Sequence, residues 1–172
     1  MTSEELRALQ APLKKQYLED PGKAAVTLKA EGRIGEGVRC SVHTGRALVE
    51  AGLHPATGGN GLSACSGDML LEALVGCAGV TLAAVATALG IDVSGGMVYA
   101  EGDLDFRGTL GVSRDAPVGF QAIRLRFELQ TQASDEQIST LIKLTERYCV
   151  VYQTLRHSPT MTVTCGKPGS VA

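Results

Sequence analysis

An uncharged run, residues 73–91 (ALVGCAGVTLAAVATALGI), constrains this chain more than any other segment. It is just long enough to span a bilayer. Its residues are mostly alanine, glycine and threonine, and its flanks carry Asp68, Glu72 and Asp92 rather than basic residues. A helix that is apolar all round needs cover on every side. We therefore interpret the run as a helix buried at the centre of a fold or of a dimer, and not as a membrane span.

Other segments alternate apolar and polar residues, which is the pattern of half-buried strands. Residues 24–31 and 38–43 alternate on either side of the glycine-rich turn EGRIGEG and predict a β-hairpin. Residues 45–52 are a candidate third strand. After the uncharged run come two long strand candidates, of which residues 123–130 are the clearer, and residues 160–165 (TMTVTC) predict a last strand.

Helical spacing is found in two further segments. Residues 3–18 carry it before the turn at Asp20, and residues 138–149 carry it after a capping box that begins at Ser134. The central helix is expected to have Ser66 as its N-cap and to end at Gly90.

Strands in hairpin clusters with helices between them predict an α+β fold with a mostly antiparallel sheet and a central buried helix. With 172 residues the chain fits a single domain, residues 1–172, in which residues 1–20 form an N-terminal helical extension. A net charge of −2 without a basic cluster argues against nucleic acid as a partner. The N-terminus is charged throughout and has no apolar secretory segment, so a cytoplasmic location is expected.

The chain has five cysteines at wide spacings. No CxxC pair or Cys/His cluster has metal-ligand spacing, so neither a metal nor another cofactor is expected. Structural disulfides are not expected in a reducing compartment, and each cysteine is then either core filler or redox-active. Cys40 and Cys165, on strand candidates, are interpreted as core residues. For Cys65, in the loop before the central helix, a redox role stays open.

Two segments resemble the cysteine motifs of the OsmC/Ohr superfamily. SGDMLLEALVGCAGVTL, with Cys77 late in an Ala/Leu-rich helix, is similar to the first motif. ERYCVVYQTLRHSPTMTV, with Cys149 before an apolar turn and a closing strand, is similar to the second. The order of elements over residues 23–165 agrees with the superfamily as well. The chain is closer to the broad OsmC-like branch than to Ohr proper.

The resemblance implies an OsmC-like fold in an intertwined homodimer with two active sites at its interface. It also implies a thiol-dependent peroxidase, an oxidoreductase of the oxidative stress response. In that activity the Cys77 thiolate attacks a hydroperoxide and becomes a sulfenic acid, Cys149 resolves it to a disulfide, and an external dithiol restores both. The expected partners are therefore a hydroperoxide, a dithiol reductant and a second copy of the chain, with no nucleic acid and no membrane.

Ionisation of Cys77 needs an activator, because burial raises a thiol pKa and the dipole of its own helix fades after the first turn. The superfamily places an arginine in the N-terminal hairpin loop, and Arg33 in EGRIGEG matches that position. Arg39 and Arg46 are the alternatives. The chain departs from the Ohr-like pattern at Gly67, where those members have the glutamate that holds the arginine.

Neither neighbouring acid aligns with that missing glutamate. Asp68 lies one place later, and Glu72 points about 140° away from Cys77 around the helix. A second hypothesis is therefore kept, in which an OsmC-like protein binds a small apolar or thiol-reactive ligand without turnover. A third is a purely structural dimer in which both cysteines only pack.

Overall fold

The computed structural model describes residues 3–34, 40–42, 51–62 and 64–165. The helices of this part of the chain are α1 (Ser3–Glu19), α2 (Ser66–Leu89), α3 (Phe106–Thr109), α4 (Asp135–Tyr148) and α5 (Val150–Arg156). Its strands are β1 (Ala25–Ile34), β2 (Cys40–Val42), β3 (Gly95–Asp105) and β4 (Ala122–Gln130). Short 3₁₀ turns occupy Pro21–Ala24 and Pro55–Thr57.

The four strands form one antiparallel sheet in the order β2-β1-β3-β4. The long β1–β3 ladder runs from Ala25 opposite Asp105 to Ile34 opposite Gly96. The sheet confirms the predicted α+β class and the predicted β1–β2 pairing. The predicted turn is wrong at its first residues, because pairing with β3 continues through Arg33 and keeps this residue in a strand.

The core lies between α2 and the inner face of β1 and β3, with α4 beside α2. Val98 and Ala100 of β3 are fully buried there. From the helices, the core receives Leu71, Leu74, Val75, Ala78, Leu82, Ala86 and Leu141. Full burial of one such leucine or valine stabilises a fold by about 1.5–3 kcal/mol, so this contact orients α2 firmly on the sheet.

Helix α2 is covered on one side within this chain. It is the one helix in the described ranges that is long and apolar enough to cross a membrane, and 44% of its apolar window is buried. Elsewhere on α2, Leu70, Val80 and Leu89 are between 37% and 43% exposed. The prediction of a core helix is thus confirmed for the side that faces the sheet.

The two ends of α2 differ from each other in how they are capped. Gly90 ends the helix in the left-handed region with φ 66°, as predicted. The predicted N-cap at Ser66 is wrong, because the helix begins at that residue and Cys65 is the N-cap. The Cys65 backbone is extended and its side chain makes no capping hydrogen bond.

The C-terminal part contains one confirmed element and one correction. The capping box of α4 forms between Ser134 and Gln137 as predicted. Residues 150–156, interpreted as an apolar turn, form α5 instead. The predicted last strand, residues 160–165, is wrong for this chain. It alternates as a strand does, but no described strand edge pairs with it, and Met161 and Val163 are 79% and 93% exposed.

The N-terminal helix is docked on the domain. The Tyr17 hydroxyl donates to the Ala56 carbonyl at 2.7 Å, and the Gln10 amide donates to the Thr57 carbonyl at 3.3 Å. Helix α1 therefore holds the 3₁₀ turn that precedes α2. Most of the candidate third strand, residues 45–50, lies outside the described residues, and Ala51 makes an isolated bridge with Ala64.

Candidate active site

Two of the five cysteines meet where three helices join. Cys77 lies in the middle of α2, and Cys149 lies between the end of α4 and the start of α5. Its thiol hydrogen-bonds to Cys77, and both cysteines are free of disulfides. The structure thus brings together the two cysteines that the motif resemblance singled out.

The position of Cys149 follows from the apolar face of α4. Leu141, Thr145 and Cys149 stand at four-residue steps on that face, and each is at most 1% exposed. At Cys149 the backbone leaves the helix with φ −71° and ψ 109°, while its N–H still donates to the Thr145 carbonyl at 2.9 Å. The thiol therefore lies at the junction of α4 and α5, where it packs against α2.

The Cys77 thiol has a pKa below the ordinary value of 9.0. Burial alone raises this pKa, but hydrogen bonds outweigh it. They come from the backbone N–H of Val151, the Cys149 thiol, the Thr81 hydroxyl and the backbone N–H of Val150. Each stabilises the thiolate more than the thiol, so together they favour the ionised form.

Helix α5 thus stabilises the Cys77 thiolate, a role for which the sequence predicts a cation. Its first N–H groups, at Val150 and Val151, are the unpaired donors that every helix start presents, and they face the Cys77 sulfur. Sequence reasoning missed them because a backbone donor has no residue signature. Thr81 was also missed, although it lies four residues after Cys77 and hence on the same helix face.

The pKa of Cys149 is shifted in the opposite direction. Burial, together with the hydrogen bond and negative charge of Cys77, raises the Cys149 pKa to about 11, although the Tyr152 N–H, 3.5 Å from its sulfur, opposes this. At neutral pH Cys149 is therefore a thiol that donates to the Cys77 sulfur, and this hydrogen bond favours the thiolate form of Cys77. The two thiols therefore differ in pKa in the direction that a reacting and a resolving thiol require.

Arg33 is not in contact with this pair. It is exposed on β1, opposite Met97, while its neighbour Gly32 is buried opposite Val98. Because successive strand residues point to opposite faces, Arg33 lies on the outer face of the sheet, away from α2. Within the part of the chain that the structure describes, none of the groups that shift the Cys77 pKa is cationic. The role of Arg33 stays a prediction, and the alternatives Arg39 and Arg46 lie outside the described residues.

The two acids near Gly67 do not contact Cys77 either. Burial raises the pKa of Asp68, which the charge of His54 partly offsets. Burial and the neighbouring Asp68 raise the pKa of Glu72. Neither acid is among the groups that shift the Cys77 pKa. Across the described ranges, no three side chains of His, Cys, Asp or Glu come together as a metal site.

The remaining cysteines differ in exposure. Cys65 is half-buried, and Cys165 is exposed. The interpretation of Cys165 as a core residue is therefore wrong, because the segment that carries it pairs with no described strand. The side chain of Cys40 lies outside the described residues, so its assignment to the core stays a prediction.

A cavity of about 310 Å³ lies near the thiol pair, although neither cysteine lines it. Leu74, one helical turn before Cys77, and Tyr152, one turn after Cys149, both line it. Its other lining residues are Phe120, Gln121, Ala122, Ile123, Leu125, Leu155 and Arg156. Ile123 and Leu125 of β4 give the cavity an apolar floor, and Gln121 and Arg156 add polar groups to its lining.

A family model for OsmC-like proteins matches residues 58–164, more than half of the chain and both cysteines of the pair. The chain belongs to the OsmC-like family. Its fold is similar to the crystal structure of an OsmC-like hydroperoxide resistance protein from Jannaschia sp. CCS1, with a TM-score of 0.59 and 19% sequence identity. The superposition covers 86% of this chain and 97% of that protein. No curated protein sequence matches this OsmC-like chain significantly.

Replacing Thr81 by valine is expected to raise the Cys77 pKa by about half a unit to one unit, because one of its hydrogen bonds is lost. The thiolate is the form that reacts, so the rate of Cys77 alkylation rises with pH through this pKa. A higher pKa moves that rise to higher pH. Iodoacetamide labelling, followed by peptide mass spectrometry across pH 5–9, measures the midpoint.

Thr87→Val is the matched control for this variant. Thr87 lies on the same helix, and its hydroxyl donates to the Ala83 carbonyl at 2.8 Å and does not contribute to the Cys77 pKa. An equal shift of the midpoint in both variants would contradict a direct role for the Thr81 hydroxyl.

Proposed function

We propose that this OsmC-like protein is a thiol-dependent peroxidase that reduces organic hydroperoxides. Cys77 is the reacting thiol, Cys149 is the resolving thiol, and an external dithiol recycles them. The observation that carries this proposal is the direct contact of the two thiols, with the Cys77 pKa lowered and the Cys149 pKa raised to about 11. Membership of the OsmC-like family supports it.

In the first step the Cys77 thiolate attacks one oxygen of the peroxide O–O bond. A sulfur–oxygen bond forms, the O–O bond breaks, and the alkoxide leaves with the electron pair and takes a proton to become an alcohol. Cys77 is oxidised by two electrons to a sulfenic acid while the peroxide is reduced. The N–H groups of Val150 and Val151 hold the sulfur in place for this attack.

The second step follows from the coupling between the two thiols. Oxidation of Cys77 removes the negative charge that contributes to the raised pKa of Cys149. Cys149 then ionises more readily, and its thiolate attacks the Cys77 sulfur. A disulfide forms, the sulfur–oxygen bond breaks, and the hydroxide leaves as water. The external dithiol returns two electrons and two protons through thiol–disulfide exchange.

The cavity near the pair, with Leu74, Ile123 and Leu125 in its lining, supports an organic substrate over hydrogen peroxide. Replacing Ile123 by glutamine places a polar group on its floor. We expect the rate with cumene hydroperoxide to fall about tenfold, since loss of one apolar contact is worth about 1–3 kcal/mol, while the rate with hydrogen peroxide changes less than about twofold. Consumption of each peroxide at limiting concentration measures this.

Leu129→Gln provides the control on the same face of β4. Leu129 lines a separate groove against α4 and does not reach the cavity beside the pair. If both variants lost activity equally, or if Ile123→Gln impaired both peroxides alike, the cavity would not be the substrate site.

The proposed active form is a cytoplasmic homodimer. Its support is apolar surface that one chain leaves exposed on α2, at Val80 and Leu89, and in the C-terminal segment, at Met161 and Val163. Because Arg33 lies on the outer face of its own sheet, it could activate Cys77 only across a dimer interface. Light scattering after size-exclusion chromatography is expected to give twice the chain mass of 17.9 kDa, and a stable monomer would contradict this part of the proposal.

A thiol count tests the peroxidase proposal itself. One equivalent of cumene hydroperoxide is expected to consume two free thiols per chain and to release one equivalent of the alcohol. If the thiols persist while the peroxide is bound, the chain is a binding protein without turnover, and the proposal fails.

A further inference from the structure

A second cavity, of about 340 Å³, lies at the start of α2. Ser66 and Gly67 line it, and Cys77 lies roughly 16 Å further along the helix axis at 1.5 Å per residue. Among the described residues, Phe120 alone lines both this cavity and the one near the thiol pair. The second cavity therefore belongs to a different part of the domain.

This cavity joins two regions of the chain. Leu53, His54 and Thr57 form one wall, and they precede the family region that begins at residue 58. Helix α1 holds this wall through its hydrogen bonds to the carbonyls of Ala56 and Thr57. The opposite wall comes from the family region. Docking of the N-terminal helix thus supports one wall of the cavity without lining it.

The lining is mostly apolar, with two reactive side chains. Cys65 places a half-buried thiol in the wall. The His54 ring is fixed in two ways, because its Nδ1 accepts the Ala56 N–H at 3.0 Å and the ring stacks on Phe106 at 4.9 Å. With Nδ1 accepting, the proton of the neutral ring sits on Nε2, which makes that nitrogen a donor.

We propose that this cavity binds a small apolar electrophile of the α,β-unsaturated carbonyl class, and that Cys65 forms a thioether with it. The volume accommodates roughly ten non-hydrogen atoms at about 30 Å³ each. An apolar lining favours an uncharged molecule, because a charged one would lose its hydration there. The proposal is independent of peroxide reduction at Cys77.

The reaction is an addition without any net oxidation. The Cys65 thiolate attacks the β-carbon, a carbon–sulfur bond forms, and the electrons of the double bond shift to the carbonyl oxygen. His54 Nε2–H donates a hydrogen bond to that developing oxyanion. The α-carbon then takes a proton from water, so that the proton lost by the thiol is replaced on carbon.

The test compares two thiols in the same molecule. The reduced protein is treated with 2-cyclohexen-1-one, and peptide mass spectrometry follows the adducts at Cys65 and at the exposed Cys165. Cys65 is expected to react at least about tenfold faster, and this preference is expected to disappear with iodoacetate, which is charged. Equal rates at the two cysteines with the enone would overturn the proposal.

Competition gives a second measurement that needs no variant. Cyclohexanone has nearly the same shape as the probe but cannot react. It is expected to protect Cys65 saturably and to leave the rate at Cys165 unchanged. Protection of neither thiol, or of both equally, would show that no cavity binding precedes the reaction.

Filling the cavity tests its role directly. Gly119 lines it, and a Cβ added there would meet no atom within 4 Å, so the backbone leaves room for the Gly119→Leu side chain to start without a clash. Labelling of Cys65 is expected to fall at least fivefold in this variant. Asp115→Leu, in the same loop but exposed and outside the cavity, is expected to label like the wild type. Unchanged labelling in a folded Gly119→Leu protein would contradict the site.

Discussion

Replacing Cys77 by serine is expected to abolish peroxide consumption, with a fall of at least ~10³-fold in rate. A serine hydroxyl stays protonated at neutral pH, and an unactivated hydroxyl is a far weaker nucleophile than a thiolate. The four hydrogen-bond donors around the sulfur do not compensate, because they stabilise an anion that serine does not form. Loss of cumene hydroperoxide with excess dithiothreitol as the reductant measures the effect.

Cys165→Ser is the matched control for Cys77→Ser. It removes one thiol by the same chemical change, but the Cys165 side chain is exposed and outside the thiol pair. Its rate is expected to stay within about twofold of the wild type. If Cys77→Ser consumed peroxide as fast as Cys165→Ser, the assignment of the reacting thiol would be wrong.

Two substitutions of Cys149 are expected to separate its two roles. Both Cys149→Ala and Cys149→Ser remove the resolving thiol, so each should stop at a sulfenic acid after one equivalent of peroxide when no thiol reductant is present. They differ in the first step. Serine keeps a hydroxyl that can donate to the Cys77 thiolate, whereas alanine removes one of its hydrogen bonds.

The sign of the pH effect follows from the Cys77 pKa. Because this pKa is lowered, the thiolate persists to lower pH than that of an ordinary cysteine, and its fraction falls as pH drops through the pKa. Losing a donor raises the pKa and moves the rising part of the pH–rate profile to higher pH. Below the pKa, a rise of one unit slows the reaction about tenfold.

Single-turnover rates from pH 5 to 9 therefore give a clear pattern. The profile of Cys149→Ala is expected to lie at higher pH than that of Cys149→Ser, and the two rates should converge at alkaline pH. Coincident profiles would show that the Cys149 thiol does not stabilise the Cys77 thiolate. Repeated turnover in either variant would show that another thiol resolves the sulfenic acid.

Strongly periodic elements of this fold could be predicted from the sequence. Strand β4 is predictable because apolar and polar residues alternate strictly along it. Helix α4 is predictable because a capping box marks its start and apolar residues follow at helical spacing. Helix α5 was missed, since seven residues give too short a pattern and its contact with α2 is a tertiary feature. The strand expected at residues 160–165 failed for a related reason, because alternation does not reveal whether an edge is present to pair with.

The candidate site likewise has features that the sequence predicts and features that it does not. Cys77 and Cys149 were identified from motif resemblance, since each motif keeps its residue types in order. The resemblance points to an arginine as the activator, and Arg33 lies in a glycine-rich turn that the structure shows to be partly strand. The donors that the structure places at the sulfur include backbone N–H groups, which any residue could supply. Their positions depend on how α5 meets α2, and local sequence does not encode that contact.

The central claim is that peroxide oxidises Cys77 and that Cys149 resolves it. Peptide mass spectrometry after one equivalent of cumene hydroperoxide tests this most directly, with Cys65 and Cys165 observed in the same sample. The predicted result is one dominant linked peptide that joins Cys77 to Cys149, reversible by dithiothreitol. A Cys77 that stays a thiol, or that links chiefly to another cysteine, would contradict the claim.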